Sequence, residues 1–363
     1  MTGTSRAAVL EAPETLVMRE FPLPTIGPED GLLHIEMAGV CGTDWKYFSG
    51  KLANAIPLIL GHEILGRVAE IGEAAAAKWG VRVGDRVLVE GSVPCWSCGR
   101  CRSGEYRFCQ SKNGYGLNTS STTPPHLWGA MAEYMYLAPG SILHRITPDV
   151  PAGTAIAAAL LANGIEWLRD RGGVTLGDDV VIQGCGPQGL AATVIAREVG
   201  ARRIIVTGLA RDAARLELAG RLGATHTICV DREDAEGRVR EITGGRMADV
   251  CLDVAGSALA TPVSIKLVRT LGTVVLAGLA GKDAMAQMPM DHIVWNEIRI
   301  QGVYVKGEAA YAKAIDFIET RAAHYPVDEI VSHTFPLERA EDAIRAAAGQ
   351  NQPAGFVKAA IVP

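Results

Sequence analysis

The run Val180-Val-Ile-Gln, followed by Gly184-Cys-Gly-Pro-Gln-Gly189 and an apolar-periodic stretch to Val199 closed by Gly200, constrains this chain more than any other part of it. The β-branched run reads as a buried strand. The stretch after it reads as a helix, with proline in its first turn and glycine just past its end. In a G-x-G-x-x-G loop so placed, Gly184 permits the tight turn and Gly186 lets a pyrophosphate approach the backbone. Gly189 lets helix pack closely on strand, and the free N–H groups of the helix start face the anion. The rhythm continues through Arg203-Ile-Ile-Val-Thr, a helix over Ala213–Leu222 ended by Gly223, Thr227-Ile-Cys-Val, Ala248-Asp-Val-Cys-Leu-Asp and Thr273-Val-Val-Leu-Ala. Strands alternating with helices imply an α/β fold with a doubly wound parallel sheet. Within it Gly184, Gly186, Pro187, Gln188 and Gly189 are the expected contacts to a dinucleotide.

Which dinucleotide turns on the end of the second strand, Val206-Thr-Gly208-Leu-Ala-Arg211-Asp212. Gly208 stands where an acidic side chain would take the ribose 2′-hydroxyl of NAD, and Arg211 could pair with the 2′-phosphate of NADP. Asp212 or a backbone group could serve NAD instead, so both cofactors stay open.

At 363 residues the chain has length for roughly two domains. The pattern before Pro151 is of another kind: Leu32-Leu-His-Ile-Glu-Met, Leu65-Gly-Arg-Val-Ala-Glu-Ile and Asp85-Arg-Val-Leu-Val-Glu are short β-like runs broken by Gly and Pro, as in a small antiparallel barrel. From about Ile298 a β-rich character returns, and the tail is expected to rejoin that first domain.

Eight cysteines are spread unevenly. Four of them, Cys95, Cys98, Cys101 and Cys109, share one polar loop with Ser97, Gly99, Arg100 and Arg102, which suits thiolates closing a tetrahedral zinc site better than packed apolar thiols. An iron–sulfur cluster is the rival, with a fourth spacing unlike the common ferredoxin run. A second constellation is split between Cys41-Gly-Thr43-Asp44 and Gly61-His62-Glu63. Cys41 and His62 could hold a metal together, with Glu63 as a third ligand or a carboxylate just behind them. Asp44 reads as a structural cap.

With 35 basic and 40 acidic side chains the net charge is −5, which offers no footprint for nucleic acid. The N-terminal segment has no long apolar region for export, and Ala155–Ala162 falls short of the ~20 residues of a bilayer span. The expectation is a soluble, cytoplasmic protein that acts on small molecules without membrane or nucleic acid.

In order and spacing, the Cys41 and His62-Glu63 motifs, the cysteine lobe, the glycine loop, Val254-Ala-Gly256 and Phe335-Pro-Leu-Glu-Arg-Ala-Glu together resemble the zinc-dependent medium-chain alcohol and polyol dehydrogenases. The resemblance implies a GroES-like β-barrel catalytic domain from residues 1–150 and 300–363, carrying a structural zinc lobe at about 91–112. It also implies a Rossmann NAD(P)-binding domain over 151–299, with the active site in the cleft. Two Zn2+ per chain are implied, one structural and one catalytic. So is hydride transfer between an alcohol and NAD(P)+, giving a ketone or aldehyde, in a homodimer or homotetramer. Thr43 matches the family's hydroxyl proton relay, and Lys46 falls where many relatives carry a histidine relay. Where relatives place a third zinc ligand this chain has Leu160 or Gly164, so Glu63 is the expected substitute and Glu166 the alternative. Trp45, Tyr47, Phe48, Trp128 and Trp295 suggest aromatic walls for a bulky, secondary alcohol. The competing readings are a zinc-free enone or quinone reductase of the same fold and a non-catalytic nucleotide-binding protein.

Overall fold

A computed structural model describes residues 3–52 and 55–363. The chain forms two compact units, Met1–Ile156 with Val331–Pro363, and Ala157–Ile330.

In the second unit six strands form one sheet in the order His226–Cys229, Arg203–Gly208, Asp179–Gln183, Ala248–Asp253, Val268–Leu276 and Arg299–Gly302, every neighbour parallel. The central strands Asp179–Gln183 and Ala248–Asp253 are buried at every position, as strands covered on both faces must be. The chain starts in the middle, winds outward through Arg203–Gly208 and His226–Cys229, then crosses to Ala248–Asp253. The strand order therefore reverses beside Asp179–Gln183, and sheets of this kind bind ligands at the carboxyl ends there. Helix Pro187–Val199 begins with its proline in the first turn and ends at Gly200 in the left-handed conformation.

The return to the first unit falls at Val331, not at residue 300. Arg299–Gly302 is the sixth parallel strand, and helix Glu308–Thr320 packs on helix Ala158–Gly164 inside the same unit.

The first unit carries a mostly antiparallel sheet in the order His333–Pro336, Ala359–Val362, Gly31–Gly39, Glu63–Ile71, Arg86–Val89 and Leu143–Arg145. Tyr134–Leu137 also pairs with Gly31–Gly39, and a three-stranded sheet joins Thr15–Pro22, Thr4–Ala12 and Leu58–Ile59. The core between them is built from Leu10, Leu33, Phe48, Ile59 and Ile64, all fully buried. In the last strand Ala360 pairs with Gly39 and Ile361 with Ala38, so the C-terminus lies alongside the strand that leads into Cys41.

Candidate active site

Backbone pairing brings the split constellation together. Gly39 is in register with Glu63 across an antiparallel pair, so Cys41, two residues past Gly39, meets His62, one residue before Glu63. The donor atoms of Cys41, His62 and Glu63 lie within 4.8 Å of one another. Gly39 is required there, because a Cβ at that position would stand 2.1 Å from Glu63 Oε2.

Helix Gly42–Phe48 leaves the site directly, and Asp44 in its first turn is fully buried. Its Oδ2 accepts the Cys41 N–H at 2.8 Å, the capping expected from sequence. Its Oδ1 lies 3.3 Å from His62 Nδ1. A carboxylate behind one ring nitrogen turns the other toward the ligand position, a common arrangement for metal-binding histidines. The charges reinforce one another. Burial pushes the Cys41 thiol up, but His62 outweighs it and leaves the thiol below its ordinary value. Burial likewise opposes charge on His62, yet Asp44 and Cys41 hold its pKa well above the usual imidazole range. Asp44 Oδ1 and His62 Nδ1 are buried polar atoms that make no hydrogen bond among the described residues, whereas Glu63 Oε2 is met by the buried Lys358 ammonium. One sulfur, one imidazole and one carboxylate, with polar atoms left unsatisfied, form a donor set that fits zinc.

Thr43 Oγ1 lies 3.7 Å from Cys41 Sγ, and Lys46 occupies the last turn of the same helix. The positions tied to a third ligand in relatives, Leu160 and Gly164, are buried in helix Ala158–Gly164 of the other unit. Glu166 follows them and is paired with Arg171 at 2.9 Å. Of the five aromatic residues, Tyr47, Phe48 and Trp128 belong to the barrel core, and Trp295 is 79% exposed in the other unit. Trp45 is partly buried beside that core.

Sequence reasoning missed Lys358. Its Nζ lies 2.7 Å from Glu63 Oε2. The signal was a lone lysine inside the otherwise apolar tail Val357-Lys-Ala-Ala-Ile-Val.

The sulfurs of Cys95, Cys98, Cys101 and Cys109 also lie within 4.8 Å of one another. Cys98 Sγ is 3.5 Å and Cys95 Sγ 4.0 Å from Cys101 Sγ, against the ~3.8 Å edge of a tetrahedron with Zn–S bonds near 2.3 Å. Backbone N–H groups of Cys95 and Cys98 point at the sulfurs of Cys109 and Cys95. Hydrogen bonds from Ser97 hold the Cys95 thiol down at about 5. All eight cysteines are free thiols.

In the other unit Gly189 packs so tightly that a Cβ would lie 1.9 Å from the Gly184 carbonyl oxygen. Gly186 is the extended residue before the helix, and Gln188 Oε1 is buried without a hydrogen-bond partner among the described residues. The free N–H groups of the first turn of a helix thirteen residues long form an anion site. On the ribose side, strand Arg203–Gly208 ends without a carboxylate. Asp212 is engaged: its Oδ2 accepts the Leu209 N–H at 3.2 Å and its Oδ1 accepts from Arg215 at 3.1 Å. Arg211 lies exposed in the short 3-10 turn Ala210–Asp212.

Comparison with known proteins agrees with this geometry. The alcohol dehydrogenase GroES-like domain family matches residues 27–148, and the zinc-binding dehydrogenase family matches residues 187–320. A Mycobacterium tuberculosis protein named "Probable alcohol dehydrogenase adh" is 39% identical, over 99% of this chain and 98% of that one. An erythritol/L-threitol dehydrogenase of Mycolicibacterium smegmatis is 33% identical over 99% of this chain and 97% of its own. Among solved structures, a Sinorhizobium meliloti protein described as a zinc-binding dehydrogenase, bound to NADP, superposes with a TM-score of 0.87 at 26% identity, covering 99% of this chain and 100% of that one. With a GroES-like barrel, a Rossmann sheet and both cysteine-bearing clusters in place, the chain belongs to the zinc-dependent medium-chain alcohol and polyol dehydrogenases.

Proposed function

We propose that this alcohol oxidoreductase interconverts a secondary alcohol and its ketone with NADP(H), with Cys41, His62 and Glu63 as the catalytic zinc ligands and the four lobe cysteines as structural ones. The observation that carries the reading is the convergence of the Cys41, His62 and Glu63 donors within 4.8 Å, beside the Thr43 hydroxyl. Bound there, zinc supplies Lewis-acid chemistry that brings a hydroxyl pKa down toward neutrality. Thr43 Oγ1 takes the alcohol proton as a relay and passes its own on, with Lys46 one helical turn further along. A nicotinamide dinucleotide held by the parallel-sheet unit would supply the hydride acceptor, so that alcohol and NADP+ would give ketone, NADPH and one proton. Gly184–Gly189 would hold its pyrophosphate at the helix start. The zinc-free reductase reading is not favoured, because such chemistry has no use for the Cys41, His62 and Glu63 set. Metal content together with alcohol oxidation in the Cys41 and His62 variants tests the proposal.

The choice of NADP rests on Gly208, on the engagement of Asp212 by Leu209 and Arg215, and on exposed Arg211. Changing Arg211→Ala is expected to lower kcat/KM with NADP by roughly 30-fold, about 2 kcal/mol for one hydrogen-bonded charge pair, and to leave NAD nearly unaffected. Equal losses with both cofactors, or none with NADP, would remove Arg211 from the 2′-phosphate site.

The protein is read further as a cytoplasmic homodimer. Free thiols throughout suit a reducing compartment, and no helix among the described residues is long and apolar enough to cross a membrane. Arg299–Gly302 is an end strand of the parallel sheet, with Val294, Trp295, Ile300 and Tyr304 exposed on and around it. An unpaired apolar edge of this kind calls for cover. Light scattering during size-exclusion chromatography should give a dimer for the native chain and a monomer for a Trp295→Glu, Ile300→Lys variant. A native monomer at micromolar concentration would rule out this edge as an interface.

A further inference from the structure

Glu63 has two carboxylate oxygens, and the fold fixes one of them. Oε2 lies 2.7 Å from Lys358 Nζ, with side-chain exposures of 5% and 2% for the two residues. The same Nζ donates to the Val40 carbonyl at 2.8 Å. Oε2 also lies where a Cβ on Gly39 would stand, so this oxygen is lodged against the backbone of residues 39 and 40. The other oxygen, Oε1, takes no part in that ion pair.

A buried ammonium is costly, and an apolar side chain would serve the packing of a strand at least as well. Its neighbours Val357, Ala359, Ala360 and Ile361 are indeed buried and apolar. What Lys358 gains is a set of anions: Glu63, the Cys41 thiolate and Asp44 all favour its charge. It reaches them because Val40 N–H donates to the Ala359 carbonyl at 3.0 Å, which ties the last strand to the segment entering the site.

We propose that Lys358 is a positioning residue for the catalytic metal: it holds Glu63 by one oxygen and so presents the other toward Cys41 and His62. The metal site is then complete only once the C-terminal strand has joined the sheet beside Gly31–Gly39. The inference rests on the reading of Cys41, His62 and Glu63 as ligands. Residues that orient a ligand from behind are typically worth 10- to 100-fold in metal affinity.

The test uses the full chain depleted of catalytic-site metal and titrated with Co2+, reading bound metal per chain, competition by a chelator and the cobalt absorption spectrum. Lys358→Met is expected to bind this cobalt roughly 10- to 100-fold more weakly and with an altered spectrum, while metal in the cysteine lobe is retained. Lys358→Arg should restore both affinity and spectrum, which a purely structural loss would not predict. Should Lys358→Met not fold, Lys358→Gln, which keeps a donor for the Val40 carbonyl, takes its place. Native affinity and an unchanged spectrum in the neutral variant would overturn the proposal. A native chain that takes up metal only in the lobe, unchanged by Cys41→Ser, would instead overturn the ligand reading, and Lys358's role with it.

Discussion

Replacing Cys41 by Ser and His62 by Ala together is expected to remove one of two zincs per chain and to lower kcat/KM for alcohol oxidation by more than ~10³-fold. In the proposed site the two residues would be the neutralising thiolate and the neutral nitrogen of a three-donor set. Glu63 would remain, but held by Lys358 and alone against the metal's charge. The floor on the magnitude comes from simpler sites: deleting one preorganised donor to a developing oxyanion costs 10²- to 10³-fold, and here two supports go at once. Cofactor binding should survive, since Gly184–Gly189 and Gly208–Asp212 are built wholly from the parallel-sheet unit. Elemental analysis, a fluorescence titration with NADPH and steady-state kinetics on one preparation separate the outcomes. Two zincs retained in the double variant would exclude Cys41 and His62 as ligands. Unaltered alcohol oxidation would sink the catalytic role even if metal were lost, and NADPH consumption with an enone by such a protein would bring back the reductase reading.

Much of the parallel sheet was legible because its signals are local. Pro187 and Gly200 punctuate a helix whose ends fall at Pro187 and Val199 in the structure, and fully buried strands announce themselves as unbroken apolar runs. The second domain boundary was not legible, for a physical reason. Arg299–Gly302 is largely exposed and sits at the end of its sheet, and a four-residue pattern carries no record of which sheet it will join. The metal site divides in the same way. Cys95 to Cys109 lie within one loop, so their spacing alone points to a shared ion. Cys41 and His62 meet through the register of Gly39 with Glu63, a long-range pairing that only family resemblance could foretell. Lys358 arrives from almost the other end of the chain, and no local rule connects it with Glu63. Large rings serve the core first, and Phe48 and Trp128 belong to the buried core of the barrel.

Replacing Cys98 and Cys101 by Ser should remove the other zinc and unravel the lobe while leaving the parallel sheet folded. The lobe has little else to hold it. Its regular structure is one four-residue turn of helix, Gly99–Arg102, and a 3-10 turn, Tyr106–Phe108. Its own core consists of Cys101, Tyr106 and Ile142, with Cys98 and Cys109 packed against them. A cluster this small cannot offset the entropy of ordering some fifteen residues at ~1 kcal/mol or more each. Structural zinc contributes about 10 kcal/mol or more in comparably small domains, which closes the gap. What remains without metal includes two moorings of the lobe to the barrel: Glu90 accepts from Tyr106 at 2.8 Å and bonds His144 at 2.9 Å, and Trp96 Nε1 donates to the Gly140 carbonyl at 3.1 Å. These moorings fix Tyr106 and Trp96, and the turn from Ser97 to Arg102 between them is expected to open. Trypsin reads the difference directly, since Arg100, Arg102 and Arg107 lie within the lobe. Cleavage tracks the open population, so a loss of only 3 kcal/mol of local stability would speed it roughly 100-fold. Slow cleavage equal to the native rate, with zinc content reduced by one, would mean that packing and not metal orders the lobe. Unchanged zinc content would mean that these thiols are not its ligands.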